Sequence, residues 1–247
     1  TISYAEQCPI NFNYGVIIDP KHIRIVESSK TVVQINGPQQ LFIEGREIKL
    51  SEEQKLLLSQ FSDGIRTQLP EMVSIAIEGV DIGLKAANEV IGGLTGENSS
   101  SQQKLQVKFD ELKWRIRARF NQSANNYYIA PQDFNDFDDM FAGQFEQEIE
   151  EIISESIGTI LKAVGQSILA ESSHDEAGNS EQRLDNFDSQ LTSIGNDLKL
   201  EVTKRAKALD DKASKFCYQL NELDKIEYLL HEATPMMADY NIIETNR

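Results

Sequence analysis

Apolar and polar positions alternate over the first fifty residues, and from Ser51 onward apolar positions recur every three or four residues. The first pattern predicts strands and the second predicts helices. Runs with β-branched residues fall at Tyr14–Ile18, His22–Val26, Thr31–Ile35, Leu41–Glu44 and Glu47–Leu50. Each is bounded by turn chemistry: Asp19-Pro20, Ser28-Ser29, Asn36-Gly37-Pro38 and Gly45. Alternation puts Tyr14, Val16 and Ile18 on one face, as it does Ile23 with Ile25 and Val33 with Ile35. A sheet with one apolar face needs a cover, and the helices that follow are the available one.

The helical part opens at Ser51, where Ser-Glu-Glu-Gln (Ser51 to Gln54) is a capping-box pattern ahead of an apolar run. Pro70 predicts a kink or a new start after Leu69, and Gly92-Gly93 predicts an end nearby. Gly79, Gly83 and Ala87, at four-residue spacing, let another backbone approach; the alternative is a lipid-facing groove. From Ser101 to Gln122 the residues Leu105, Phe109, Leu112, Ile116 and Phe120 form one helical stripe, flanked by Lys104, Lys108, Arg115 and Arg119. Val107 and Trp114 fall on the opposite side of that helix. They are either sandwiched or form an exposed strip that contacts a partner.

Asp133 through Glu155 carries nine acidic residues and no Lys or Arg, with Phe134, Phe137, Phe141, Phe145, Ile149 and Ile152 as a helical ladder. This predicts a helical hairpin turning through Ser123 to Ala130, the ladder on the Leu105/Ile116 stripe and the acidic flank beside the basic one. A calcium loop through Asp133, Asp136, Asp138 and Asp139 is disfavoured, because Phe134 and Phe137 interrupt it and Asp138 stands where that loop requires glycine. No metal site and no cofactor is expected. Ser172 to Gln182, with His174, reads as a polar loop, followed by a helix of about 45 residues from Phe187 to beyond Leu223, roughly 65–70 Å long. After Pro235 the run Tyr240 to Ile243 adds a strand or stays loose. The expected fold is therefore α+β: a small N-terminal antiparallel β-meander (8–50), long and mostly antiparallel α-helices forming an elongated helical bundle packed on it (51–233), and a tail (234–247), together one folded unit.

Composition narrows the function classes. A net charge of −16 repels phosphates over most of the surface, which argues against nucleic acid as a partner. No window approaches the roughly 20 apolar residues of a membrane span. The two cysteines, Cys8 and Cys217, in a chain that opens on Thr1, fit an exported protein whose signal peptide has been removed and whose thiols pair as a disulfide. The alternative is two separate buried thiols in a cytosolic protein. The three histidines, His22, His174 and His231, lie far apart in sequence, and no nucleophile elbow, zinc-protease motif, phosphate loop or Cys-x-x-Cys is present. No catalytic residues are assigned.

The arrangement resembles the YggN-like family, a domain-of-unknown-function family of Gram-negative envelope proteins. The resemblance rests on Cys8 ahead of the Val16–Ile18 strand and Pro20, and on Leu41 to Leu50 with Gly45. It rests also on Gln54 and Leu58, on Ile65-Arg66-x-x-Leu69-Pro70, and on the late Cys217. It spans residues 8 to 231, most specifically the first seventy, whereas the acidic tract and the tail after Pro235 depart from it. Membership implies secretion to the periplasm and lends no catalytic residue. The expected function is a non-catalytic periplasmic interaction protein, chaperone-like or part of a cell-envelope assembly, that docks another envelope protein through Val107 and Trp114. The alternative is a carrier that holds lipid or another apolar ligand between Ile75–Leu94 and Ile152–Leu169. A passive acidic cation buffer is a third possibility.

Overall fold

The computed structural model describes residues 10–96, 98–123, 125–134 and 178–245, together with Gln147, Glu151, Ile152, Ser154, Glu155, Gly158 and Lys162. In chain order come β1 (Ile10–Phe12), β2 (Gly15–Ile18), β3 (His22–Glu27), β4 (Lys30–Asn36), β5 (Gln40–Ile43) and β6 (Arg46–Ile48). Then follow α1 (Glu52–Thr95), α2 (Ser100–Phe120), β7 (Asn121–Ser123), β8 (Asn126–Ile129), α3 (Gly178–Ala233) and β9 (Ile243–Thr245). The chain divides into two compact units. The first holds Thr1–Ile77, Trp114–Asp138 and Leu209–Arg247, and the second holds Glu78–Lys113 and Asp139–Ala208.

The first unit contains a seven-stranded antiparallel sheet of order β6-β5-β4-β3-β2-β8-β7 and a two-stranded pair of β1 with β9. Its register aligns Ile129, Val16, Ile25, Val33 and Ile43 in one row and Ile18, Ile23, Ile35 and Leu41 in the next. All nine are buried, as the alternation of the sequence requires. Two hairpins turn on two residues in the left-handed region, Ser28-Ser29 and Glu44-Gly45, the conformation that matches the strand twist. Arg66 Nη1 donates to the Asp19 carbonyl at 2.7 Å, which ties α1 to the β2–β3 turn. On α1 the residues Leu58, Phe61, Ile65, Leu69 and Val73 are buried at helical spacing. The capping box forms as expected: Ser51 N–H donates to Gln54 Oε1 at 2.8 Å and Gln54 N–H to Ser51 Oγ at 3.3 Å. Gln54 Nε2 also donates to the Ala233 carbonyl at 2.6 Å, which satisfies an orphan acceptor at the end of α3.

The chain's end is held by buried acids. Glu227, fully buried, accepts hydrogen bonds from the Ile242 and Ile243 N–H groups, and Asp224 accepts one from Thr245 Oγ1 at 2.6 Å. Tyr240 OH donates to Glu44 Oε1 at 3.0 Å. These bonds bring the tail's apolar run to β9, which pairs with β1 in the register Ile10↔Thr245 to Phe12↔Ile243.

The second unit has its own small core of Leu84, Ile91, Leu105, Phe109 and Ile152, with Val80 and Ala87 packed against it. Gly83 lies where a Cβ would touch Phe109 at 3.4 Å and Ala87 packs against the same core, so these two small residues of α1 serve helix packing. α1 ends at Thr95 with Gly96 in the left-handed conformation (φ +87°), its N–H returned to the Gly92 carbonyl at 2.9 Å.

Several expectations require correction. The sheet is not a small N-terminal meander, because β8 pairs with β2 through Val16↔Ile129 to Ile18↔Tyr127 and brings β7 with it. The segment expected as the turn of a helical hairpin, Ser123 to Ala130, is mostly strand. An edge strand leaves a row of N–H and C=O groups open, and Tyr127-Tyr128-Ile129 has the residue types that fill it. The elongated helical bundle is likewise not formed: α1, α2 and α3 are each divided between two units, and the first unit is built on strands as much as on helices. A bundle needs long helices buried against one another along their length, whereas much of the buried stripe here belongs to a unit whose core is a sheet. Finally, of the kink or new start expected at Pro70, the new start is excluded because Pro70 lies inside α1, and α3 begins at Gly178, within the stretch expected as a loop, to run for 56 residues.

Candidate docking surface on α2

Helix α2 separates two kinds of surface. Its stripe Leu105, Phe109, Leu112, Ile116 and Phe120 is at most 7 % exposed, whereas Val107 is 64 % and Trp114 is 67 % exposed. Val107 belongs to the second unit and Trp114 to the first. Three residues after Trp114 stands Arg117, exposed and without a hydrogen-bond or ion-pair partner among the described residues. Positions three and four apart share a helix face, so Trp114, Arg117 and the exposed Ala118 present one surface.

The remaining cations of α2 are committed. Arg119 Nε donates to Asp133 Oδ1 at 2.7 Å, Arg119 Nη2 donates to the same oxygen, and the Ala130 N–H donates to Asp133 Oδ2 at 2.7 Å. Asp133 is only 4 % exposed while Arg119 is part-buried, and both Asp133 oxygens accept hydrogen bonds. Asp136, Asp138 and Asp139 lie outside the described residues. Lys113 Nζ donates to Asp81 Oδ1 at 2.8 Å and stands 3.6 Å from Asp110. The hydrogen bond to Asp81, helped by both charges against the effect of burial, raises the Lys113 pKa above its ordinary value. Lys104 pairs with Glu155 at 3.0 Å, and Ile152 joins Leu105 and Phe109 in the second core. Lys104–Glu155 and Arg119–Asp133 are the described pairs between the basic helix and the acidic tract, most of which lies outside the described residues. Of the Phe ladder, Phe137, Phe141, Phe145 and Ile149 lie outside the described residues.

Two open grooves mark the second unit. One, of about 660 Å³, is lined by Val107 and Ile152 together with Lys104, Lys108, Glu151 and Glu155. The other, of about 560 Å³, is lined by Leu84 among Asp81, Lys85, Asn88, Glu89 and Gln102. Charged and amide residues outnumber apolar ones in both linings, though most of the surface they present there is apolar. Most of Ile152–Leu169, the second wall expected for a lipid carrier, lies outside the described residues.

Cys217 sits on α3 and Cys8 lies outside the described residues, among which no free cysteine is found. His174 also lies outside them. His22 Nδ1 is 3.0 Å from Asp19 Oδ1, and His231 Nε2 is 3.5 Å from Glu227 Oε1. Burial alone would raise the Asp19 pKa, but hydrogen bonds from the Lys21 N–H, the His22 ring and the His22 N–H together hold it below its usual value. Both histidines thus contact carboxylates that also hold backbone N–H groups. Among the described residues no group of His, Cys, Asp and Glu is arranged to hold a metal ion, and no helix is long and apolar enough to cross a membrane.

An antiparallel sheet carrying long helices, with an exposed tryptophan on one of them, defines an α+β protein with an open helical surface. The chain belongs to a family of proteins of unknown function, DUF2884, whose model matches residues 8–243. That match bears out the resemblance to a YggN-like domain-of-unknown-function family. Neither the curated proteins nor the solved structures yielded a significant match.

The sequence placed Val107 and Trp114 opposite the buried stripe and left open whether they are sandwiched or exposed; both are exposed. Arg117 was missed. Its signal was available, because the residues three and four away are Lys113, Trp114, Phe120 and Asn121, so no acid stands at ion-pairing distance along the helix.

Proposed function

We propose that this is a non-catalytic docking protein of the Gram-negative periplasm, chaperone-like or part of a cell-envelope assembly, which engages another envelope protein through the outer face of α2 around Trp114. One observation carries the reading: the chain's single tryptophan is 67 % exposed on a helix whose opposite stripe is buried. Large aromatic surface left in water costs free energy, and Trp and Arg are the residues most enriched where interfaces concentrate their binding energy. Val107, exposed on the same helix but in the second unit, is a separate contact candidate beside its groove. The periplasmic assignment draws on the resemblance and on the cysteines. Two thiols in the whole chain, and no free one among the described residues, support a Cys8–Cys217 disulfide. A bridge of that span would stabilise the fold by about 5 kcal/mol on the chain-entropy model.

The test is a photo-crosslinking amino acid placed at position 114 in the protein expressed in its own cells, with position 200, another exposed apolar site, as control. A discrete protein adduct at 114 and none at 200 is the expected result. Trp114→Ala should leave the urea midpoint within about 0.5 kcal/mol of the parent. An unfolding shift of several kcal/mol, or equal crosslinking at both positions, would show that Trp114 is structural or non-specifically sticky.

A further inference from the structure

Resting on that docking reading, we infer that the segment received by the Trp114 face is acidic: an Asp- or Glu-bearing stretch of a partner protein, its carboxylate on Arg117 and an adjoining apolar side chain on Trp114. Arg117 and Trp114 share a face, and Arg117 has no partner among the described residues. From Trp114 to Ser123 the chain holds three arginines and no acid. Arg119 is neutralised by Asp133, and of the two acids one turn before Trp114, Asp110 is engaged by Gln106 and Lys113 and Glu111 by Lys108. A guanidinium left open beside an exposed indole offers a planar, two-pronged donor next to an apolar platform, and a carboxylate is the side chain that fits the prongs.

The rest of the molecule sharpens the choice. With a net charge of −16, most of its surface repels an acidic partner, so this face is where such a partner is accepted and the field orients the approach. The same charge disfavours an anionic bilayer. Screening confines attraction to about 8–10 Å, so a peptide seated on Arg117 and Trp114 feels the local charges more than the acidic remainder, while a charged plane faces both.

The experiment is selection of random dodecapeptides displayed on phage against the intact protein, followed by calorimetry of the winning peptide. Enrichment of Asp or Glu beside an aromatic or aliphatic residue is expected. Binding should fall about tenfold or more with R117E and return when the peptide's acid is changed to Lys. W114A should also weaken binding, with thermal midpoints unchanged in both variants. Loss with W114A but undiminished binding by R117E would leave the docking face standing and overturn the acidic partner. Binding indifferent to W114A, or no enriched peptide at all, would overturn the docking face itself. Capture of phosphatidylglycerol vesicles through Trp114, without peptide enrichment, would replace the acidic segment by a membrane.

Discussion

The two units solve the same problem, burying helix faces, with different means. In the first, partners come from distant parts of the chain, and buried polar groups are tied to backbone: Glu227 to Ile242 and Ile243, Asp133 to Ala130. In the second, a few apolar side chains pack where α1 carries small residues, and several ion pairs lie at the surface. The contrast shows where charge acts structurally. A buried carboxylate that collects backbone donors leaves a large debt when removed, whereas an exposed pair leaves little.

The largest expected effect is therefore in the first unit. Glu227→Ala strands two buried N–H groups of the C-terminal segment and should destabilise by about 3 kcal/mol or more in urea unfolding. Amide exchange should accelerate first at Ile242 and Ile243. Uniform acceleration across the sheet would mean that Glu227 does not act as a local clasp. A matched glycine pair tests packing next. A Cβ on Gly64 would meet Leu223 Cδ1 at 2.4 Å, and Leu223 is only 2 % exposed, so it has little room to yield. Gly64→Ala should destabilise by about 1 kcal/mol or more despite the better helix former. Gly83→Ala meets only ordinary contact with Phe109 and should stabilise by up to about 1 kcal/mol. Equal changes in the two would erase the distinction between the units. The smallest effect belongs to the surface: Lys104→Ala removes a pair whose partners are both more than half exposed, and should cost between about 0 and 1 kcal/mol, less in high salt.

These contrasts follow how far each feature can be read along the chain. The five strands from Gly15 to Ile48, the capping box at Ser51 and the buried stripe of α2 are local, repeating every two or every three to four residues, and a short window contains the whole signal. The placement of Val107 and Trp114 opposite that stripe follows from the same periodicity, whereas their exposure does not. Arg117 needed one further step, a check for acids at helical spacing. By contrast, Tyr127-Tyr128-Ile129 is a strand because β2 had a free edge more than a hundred residues earlier, and the tail becomes β9 because β1 and Glu227 wait for it. A division of long helices between two units also has no local mark.

The amino-acid sequence by itself determined which face of each local element is apolar, where the first long helix begins, and that α2 carries aromatic surface on its polar side. Only the tertiary structure decided which strands close the sheet and which acids are buried. Periodicity is a property of neighbouring residues, whereas strand pairing and the burial of a carboxylate depend on donors supplied by chain far away, and their balance exists only once the chain has folded.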